Sequence, residues 1–578
     1  MTVPHLTSTM HRILIALVAT ASVSCASSPE PAAMPGPSTQ PAPSIDPLPR
    51  VSPVDAPPVP GVEHRSSAER ARLDVLHYDL SIDLRRLDDT VMQAVARLDV
   101  RPSPAATYID LDFVGLEVDS VLMDGAHVDF SQGPDILRIG PDHGFRDVVT
   151  IEVFYEGRPA DGLFIGPDPA GHLTAFADNW PNRARWWFPA NDYPADKATA
   201  EFTVRVPPGY SVVANGRLVG VDGNTWRWRT DVEIPAYTLV IGVAKFERAT
   251  IGDAACGEAP AAADGECTEV SIWALTGSGA YGEQRFTRAA DMVDFYTEMF
   301  GSYPYEKLAH VQSSTQFGGM ENSSAIFYAM GSWAEERMSE GVIAHETVHQ
   351  WFGDSVTPAR WSHLWVSEGF ATYFTAVYMD ARDGGGALRQ AMEQGRQRIL
   401  GSDASNRPVV DQRPDLFGLL NSNSYPKGAW ILHMLRTLIG DEAFFGAIRA
   451  YYAEHRNGIA DTEDVRRAME QASGRELSRF FEQWAYSPGF PRLAVTVTPD
   501  GDETVITVEQ VQSEGWPTFQ GTKLELDVTW DSGEVVRHEL WLTSRSDELR
   551  IPSRGEVEAI TLDPDVELLM EAVEDPPR

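Results

Sequence analysis

The chain has 578 residues, enough for three or four domains at about 150 residues each. Apolar residues make up 43% and aromatics 10%, which supports packed cores and excludes a disordered protein. A formal net charge of −37 disfavours nucleic acid as a partner, because a phosphate backbone wants a basic surface, and the acidity reads as a solubility feature.

The first residues read as an address. His11 and Arg12 precede an apolar run from Ile13 to Thr20, and small residues lead into Cys25. A weakly basic start, a short apolar core and small residues before a cut site describe a secretory signal peptide. The run is too short to span a bilayer. Its end at Cys25 resembles a bacterial lipoprotein signal, with Cys25 as the lipidated new N-terminus, although Ser22 stands where such signals usually carry Leu. The expected location is therefore outside the cytoplasm, either on the cell envelope through a lipid or, with plain secretion, in the periplasm or medium. Pro, Ser and Ala dominate from Ala26 to about Pro60, a composition that cannot bury a core and predicts a disordered tether.

From about Arg70 to Arg248 the pattern alternates as in strands, for example in Tyr78-Asp-Leu-Ser-Ile-Asp-Leu and Ala200-Glu-Phe-Thr-Val-Arg-Val. Turn signals at Pro207-Pro-Gly and Asp222-Gly-Asn separate the runs, and an antiparallel β domain is expected. Cys256 and Cys267 lie close together in a Gly/Ala-rich loop, and export makes a disulfide between them the expected state, against two free thiols. From about Phe286 the period becomes helical, with helices predicted over Arg288–Phe300, Gly341–Gly353, Gly369–Arg382 and Ala429–Leu438. After Pro488 the sequence returns to strands, at Leu493-Ala-Val-Thr-Val-Thr, Val505-Ile-Thr-Val and Leu524-Glu-Leu-Asp-Val-Thr-Trp, a length that suits a β-sandwich.

The chemistry concentrates in His345-Glu-Thr-Val-His349. Residues four apart face the same way on a helix, so both imidazoles can bind one zinc ion. Glu346, one step round, can reach a water held there and act as general base. Glu368 follows His349 after eighteen intervening residues. With Ser367 as the expected N-cap, it would sit in the first turn of the next helix. Two His and one Glu leave a fourth position open, the pattern of a catalytic zinc site. Upstream, the paired glycines of Gly318-Gly319-Met320-Glu321-Asn322 let an extended peptide approach closely, and Glu321 can hold a positive charge.

These motifs together resemble the zinc aminopeptidase family of aminopeptidase N and leukotriene hydrolase, a group of gluzincin metallopeptidases. The resemblance runs from about residue 70 to the C-terminus and is densest between Tyr303 and Gly440. It implies one zinc ion, held by His345, His349 and Glu368. It also implies that Glu321 binds the free α-amino group of a peptide substrate, with its neighbours Gly318, Gly319, Met320 and Asn322 lining the substrate site. Tyr425, in Tyr425-Pro-Lys-Gly-Ala429, is implied as donor to the oxyanion. One stretch departs from the family. Five residues before Arg185, many members carry a Gln or Glu that helps grip the amine, and here that position is Trp180. Either Asn179 or Asp178 takes its place, or Trp180 forms an aromatic wall of the first side-chain pocket.

The chain then divides into a signal peptide (1–25), a tether (26–68), an N-terminal β domain (69–252), a thermolysin-like, mostly helical zinc catalytic domain (253–488) and a C-terminal β-sandwich (489–578), a multidomain α+β protein. Long family members add a C-terminal helical domain, and the sequence given ends at the sandwich, which implies a more open cleft or one closed by another chain. Two rival readings are a thermolysin-like endopeptidase, which has no reason for Glu321 beside its site, and an inactive surface-tethered binding protein.

Overall fold

The computed structural model describes residues 60–573 apart from 90, 141–144, 146 and 263–265. Cys25, the signal segment and the tether up to residue 59 lie outside the described residues.

The N-terminal domain is built on an eight-stranded sheet. Its spatial order is Arg217–Asp222, Thr225–Pro235, Lys197–Arg205, Leu73–Asp83, Met92–Pro102, Val149–Gly157, Glu117–Met123 and Ala126–His127. Period-two alternation puts Tyr78, Leu80 and Ile82 into the core, and a register shift between Val75 and His77 lets Val75 be buried as well. One pairing corrects the antiparallel expectation: Leu73–Asp83 runs parallel to Lys197–Arg205, with His77 opposite Thr199. The many intervening strands supply the long crossover that a parallel pair needs. Two smaller sheets, of four and three strands, complete the domain.

Residues 60–68 are not part of a free tether. Val62 bridges Asp415, the Glu63 N–H donates to the Pro414 carbonyl, and the Leu416 N–H donates to the Gly61 carbonyl. Gly61, at φ +77, has no Cβ, and the Phe417 ring occupies the space where one would stand. Arg70 is buried in a short helix behind this segment and pairs with Asp112 and Glu63.

The second domain carries a five-stranded sheet in the order Phe246–Ala254, Thr268–Leu275, Leu308–Ser313, Ala325–Ala329 and Gly319–Met320. Since Phe246–Ala254 pairs with Thr268–Leu275, the domain limit read at 252 falls inside a strand and moves back to Lys245. A disulfide joins Cys256 and Cys267 across the loop between those two strands. Gly319–Met320 is the edge strand, antiparallel to its neighbour. The helices needed for the site run over Glu340–His349, Trp365–Asp383 and Gly428–Ile439. The last two cross at Gly369 and Gly428, where a Cβ on either would lie 2.8 Å from the other's backbone. After Trp484 the chain forms two further sheets, of four and three strands. Leu524, Leu526, Val528 and Trp530 alternate into the core with Ile506 and Val508, as a sandwich requires.

Candidate active site

Ser339 caps the helix Glu340–His349 by accepting from the Gly341 N–H. One turn apart on it, His345 and His349 bring their Nε2 atoms to 3.1 Å. Oε2 of Glu368 lies 3.2 Å from the first and 3.3 Å from the second. Ligands about 2.0–2.1 Å from a tetrahedral ion stand about 3.3 Å from each other, so the three donors fit zinc without rearrangement. The Nδ1–H of His349 donates to the Phe352 carbonyl at 3.0 Å, which leaves the Nε2 lone pair free for a metal. Ser367 Oγ lies 3.1 Å from the same Nδ1.

That contact corrects the expected role of Ser367. The helix bearing Glu368 begins earlier, at Trp365, after a 3-10 turn over Trp361–His363. Burial of Trp365, whose indole N–H donates to Thr462 Oγ1 at 2.8 Å, fixes the start there. Ser367 is thereby turned to His349 instead of capping the helix.

Glu346 is buried, and its carboxylate lies against Gly319. Ligand atoms of Glu321, Glu346 and His349 all fall within 4.8 Å of one another. Burial pushes Glu346 well above the usual carboxylate range. Burial, with Glu368 nearby, raises Glu321 to about 7. Burial opposes charge on His349, but Glu368, Glu321 and Glu346 together raise it to about 10. Three carboxylates around one imidazole are balanced by bound positive charge, whether protons, a metal or a substrate's ammonium. Of the glycine-rich stretch, Gly318 is exposed and Gly319 half-exposed, while Met320 and Asn322 are buried away from solvent.

Tyr425 stands in one wide helical turn, Asn423–Lys427, just before the helix Gly428–Ile439. Its hydroxyl donates to Glu368 Oε1 at 2.9 Å, and its ring lies parallel to that of His345 at 6.1 Å. Trp180 is buried edge-on against Phe317, Trp361 and Phe417, with ring centres 5.7–5.9 Å away. One member of this aromatic cluster, Phe317, directly precedes Gly318.

Asn179 does not stand in for the missing amine ligand. Both N–H groups of its amide donate, to the Ala236 and Leu239 carbonyls, and its oxygen accepts from the Trp187 indole, so the side chain is fully buried and turned into the β domain. Asp178 is likewise engaged, by Arg183 at 2.6 Å and by the Thr315 hydroxyl at 3.0 Å. Sequence reasoning missed Ser367 as a partner of His349, and missed Tyr237, whose hydroxyl donates to the Gly353 carbonyl beside the site. A Ser next to a metal-ligating Glu is a signal that could have been used. For Tyr237, more than a hundred residues away in sequence, there was none.

The sequence matches the Peptidase M1 N-terminal domain over residues 75–238 and the Peptidase family M1 domain over residues 285–484. A tricorn protease-interacting factor of Thermoplasma acidophilum is 29% identical over 71% of this chain and 53% of its own. An aminopeptidase N of Streptomyces lividans is 26% identical over 81% of this chain and 57% of its own. The chain thus spans about half the length of the curated relatives it matches. A crystal structure of an M1 zinc metallopeptidase from Deinococcus radiodurans, bound to a Tyr-Ser-Ala substrate, shares the fold at a TM-score of 0.64 and 24% identity. That likeness covers 72% of this chain and 95% of the other.

Proposed function

Because this chain belongs to peptidase family M1, we propose that it is a zinc aminopeptidase removing the first residue from peptides with a free amino terminus. The observation that carries this reading is Glu321, a buried carboxylate directly after the edge strand Gly319–Met320 and within 4.8 Å of the ligand atoms of Glu346 and His349. An extended peptide laid along that edge ends at a group suited to its ammonium. The aminopeptidase relative and the peptide-bound fold neighbour support the same substrate class.

Zinc, when bound by His345, His349 and Glu368, supplies Lewis-acid polarisation of a carbonyl and lowers the pKa of a water it holds. Glu346 accepts the proton of the attacking water and passes it to the leaving amine. Tyr425 turns its O–H from Glu368 to the oxygen that gains charge. Glu321 holds the ammonium, so that only the first peptide bond reaches Glu346.

The test compares a short peptide with its N-acetylated form. The free peptide is expected to lose its first residue, and the acetylated one to resist. Equal cleavage of both, or cleavage at an internal bond, would convert the reading to an endopeptidase.

A further inference from the structure

The loop that follows His349 is held from outside its own domain. Gly353 has φ +126, and a Cβ there would lie 2.8 Å from His349 Nδ1 and 2.5 Å from Ser367 Oγ, so only glycine lets the turn come this close. The same glycine leaves the backbone free to swing the neighbouring Phe352 carbonyl, the acceptor for the His349 Nδ1–H. Within the loop, the Gly353 N–H donates to the Val356 carbonyl, the Asp354 N–H to the His349 carbonyl, and the Thr357 hydroxyl to the Asp354 carbonyl. From its own domain the loop also receives the Gln350 amide on Asp354 Oδ2, a bond from the Ser355 hydroxyl to Asn457 Oδ1, and the pairing of Val356–Pro358 with Gly458–Ala460. Further grips come from the N-terminal β domain. Tyr237 donates its hydroxyl to the Gly353 carbonyl at 2.9 Å. Lys197 Nζ donates to the carbonyls of Asp354 at 3.0 Å, Ser355 at 2.8 Å and Gly458 at 2.9 Å.

Both grips are themselves anchored. Lys197 opens the strand Lys197–Arg205 of the eight-stranded sheet. Tyr237 sits in the 3-10 turn Ala236–Thr238, which the Asn179 amide holds at both ends, and its ring packs against Trp361 at 5.1 Å. A continuous set of bonds therefore runs from the β domain through three consecutive carbonyls to the acceptor that orients a metal ligand.

We infer that Lys197 and Tyr237 are positioning residues for the metal centre, so that the N-terminal domain sets metal affinity by fixing the Phe352 carbonyl behind His349. The inference rests on the reading of His345, His349 and Glu368 as ligands. A partner that bonds a metal ligand directly sets metal affinity by about 10- to 100-fold, and Lys197 and Tyr237 hold the loop that carries this partner, the Phe352 carbonyl.

The test measures the zinc dissociation constant of the purified full chain by competition with a fluorescent chelator, with the absorption spectrum of the cobalt-substituted protein beside it. Tyr237→Phe removes one hydroxyl and keeps the ring on Trp361, and Lys197→Met keeps the stem and removes the donors. Each is expected to weaken zinc by about 10-fold or more and to change the cobalt spectrum, while Lys197→Arg retains most of the affinity. Should Lys197→Met fail to fold, Tyr237→Phe decides alone. Zinc affinity within about two-fold of the parent in the folded variants overturns the inference. A parent chain that binds no zinc overturns the ligand reading along with it. Failure to cleave peptides, with the affinity differences intact, removes the aminopeptidase reading and leaves this one standing.

Discussion

A methyl group on Gly319 would lie 2.4 Å from Oε1 of Glu346 and 2.5 Å from its Cδ, closer than carbon atoms approach in proteins. Gly319 does not have a positive φ, so alanine suits its backbone and the obstacle is Glu346 alone. Gly319→Ala is therefore expected to shift the carboxylate and lower kcat/KM by about 100-fold, the scale of a 1 Å misplacement. Its thermal midpoint should stay close to that of the parent. Retained activity would mean that Glu346 can move without loss. Glu346→Gln tests the base directly: zinc content should be unchanged and turnover of an aminoacyl chromogenic substrate reduced by about 10²- to 10⁴-fold. At this scale the sequence was most informative. The four-residue spacing of His345 and His349 is a helical repeat, and the ligand atoms meet where that repeat puts them. The departure from the family pattern was legible only as a gap at Trp180. Whether Asn179 could fill that gap depended on Ala236, Leu239 and Trp187, none of which can be inferred as neighbours from spacing.

Among the elements, the contact between the helices Trp365–Asp383 and Gly428–Ile439 governs the distance from Tyr425 to Glu368. Their backbones meet at Gly369 and Gly428 with no room for a methyl group. Gly428→Ala should force them apart, cost about 1–3 kcal/mol of stability by overpacking, and weaken the contribution of Tyr425. Urea unfolding together with kcat reads both effects, and a stable variant with unchanged kcat would separate the crossing from catalysis. Gly428 stands in the Tyr425-Pro-Lys-Gly-Ala429 motif and Gly369 opens a predicted helix, yet nothing in one sequence says that they face each other. Helix positions came through well, because amphipathic periods are local. The four-residue error at the start of the Glu368 helix arose because a good capping residue, Ser367, was outweighed by the burial of Trp365.

For the whole molecule, the buried charges around Asp112 tie the beginning of the described chain to the β domain. Arg65, Arg70 and Arg185 surround this carboxylate and, against the opposing effect of burial, hold it well below its usual range. Arg70→Leu should cost about 3 kcal/mol in urea unfolding, because it leaves part of a buried charge uncompensated. A loss near zero would mean that Arg65 and Arg185 suffice. Composition marked a tether to about Pro60, and the tether was drawn on to residue 68. The order comes from partners far along the chain, at Asp112 and at Pro414 to Phe417. Fold class was legible for the same reason that register was not: alternation is written in each strand, whereas the parallel pairing of Leu73–Asp83 with Lys197–Arg205 is a property of two distant ones.

The edge strand Gly319–Met320 has a further consequence. Among the described residues no strand pairs with its outer side, and it runs straight into Glu321. With Glu321 in its proposed role, the edge acts as a ruler whose zero mark is the amine, so the bond presented is counted from the start of a peptide and not from its composition. Every shortened product carries a new amine at the same zero mark. A long peptide is then expected to be consumed as a ladder with one-residue rungs, and the ladder should halt at a residue that the site cannot seat.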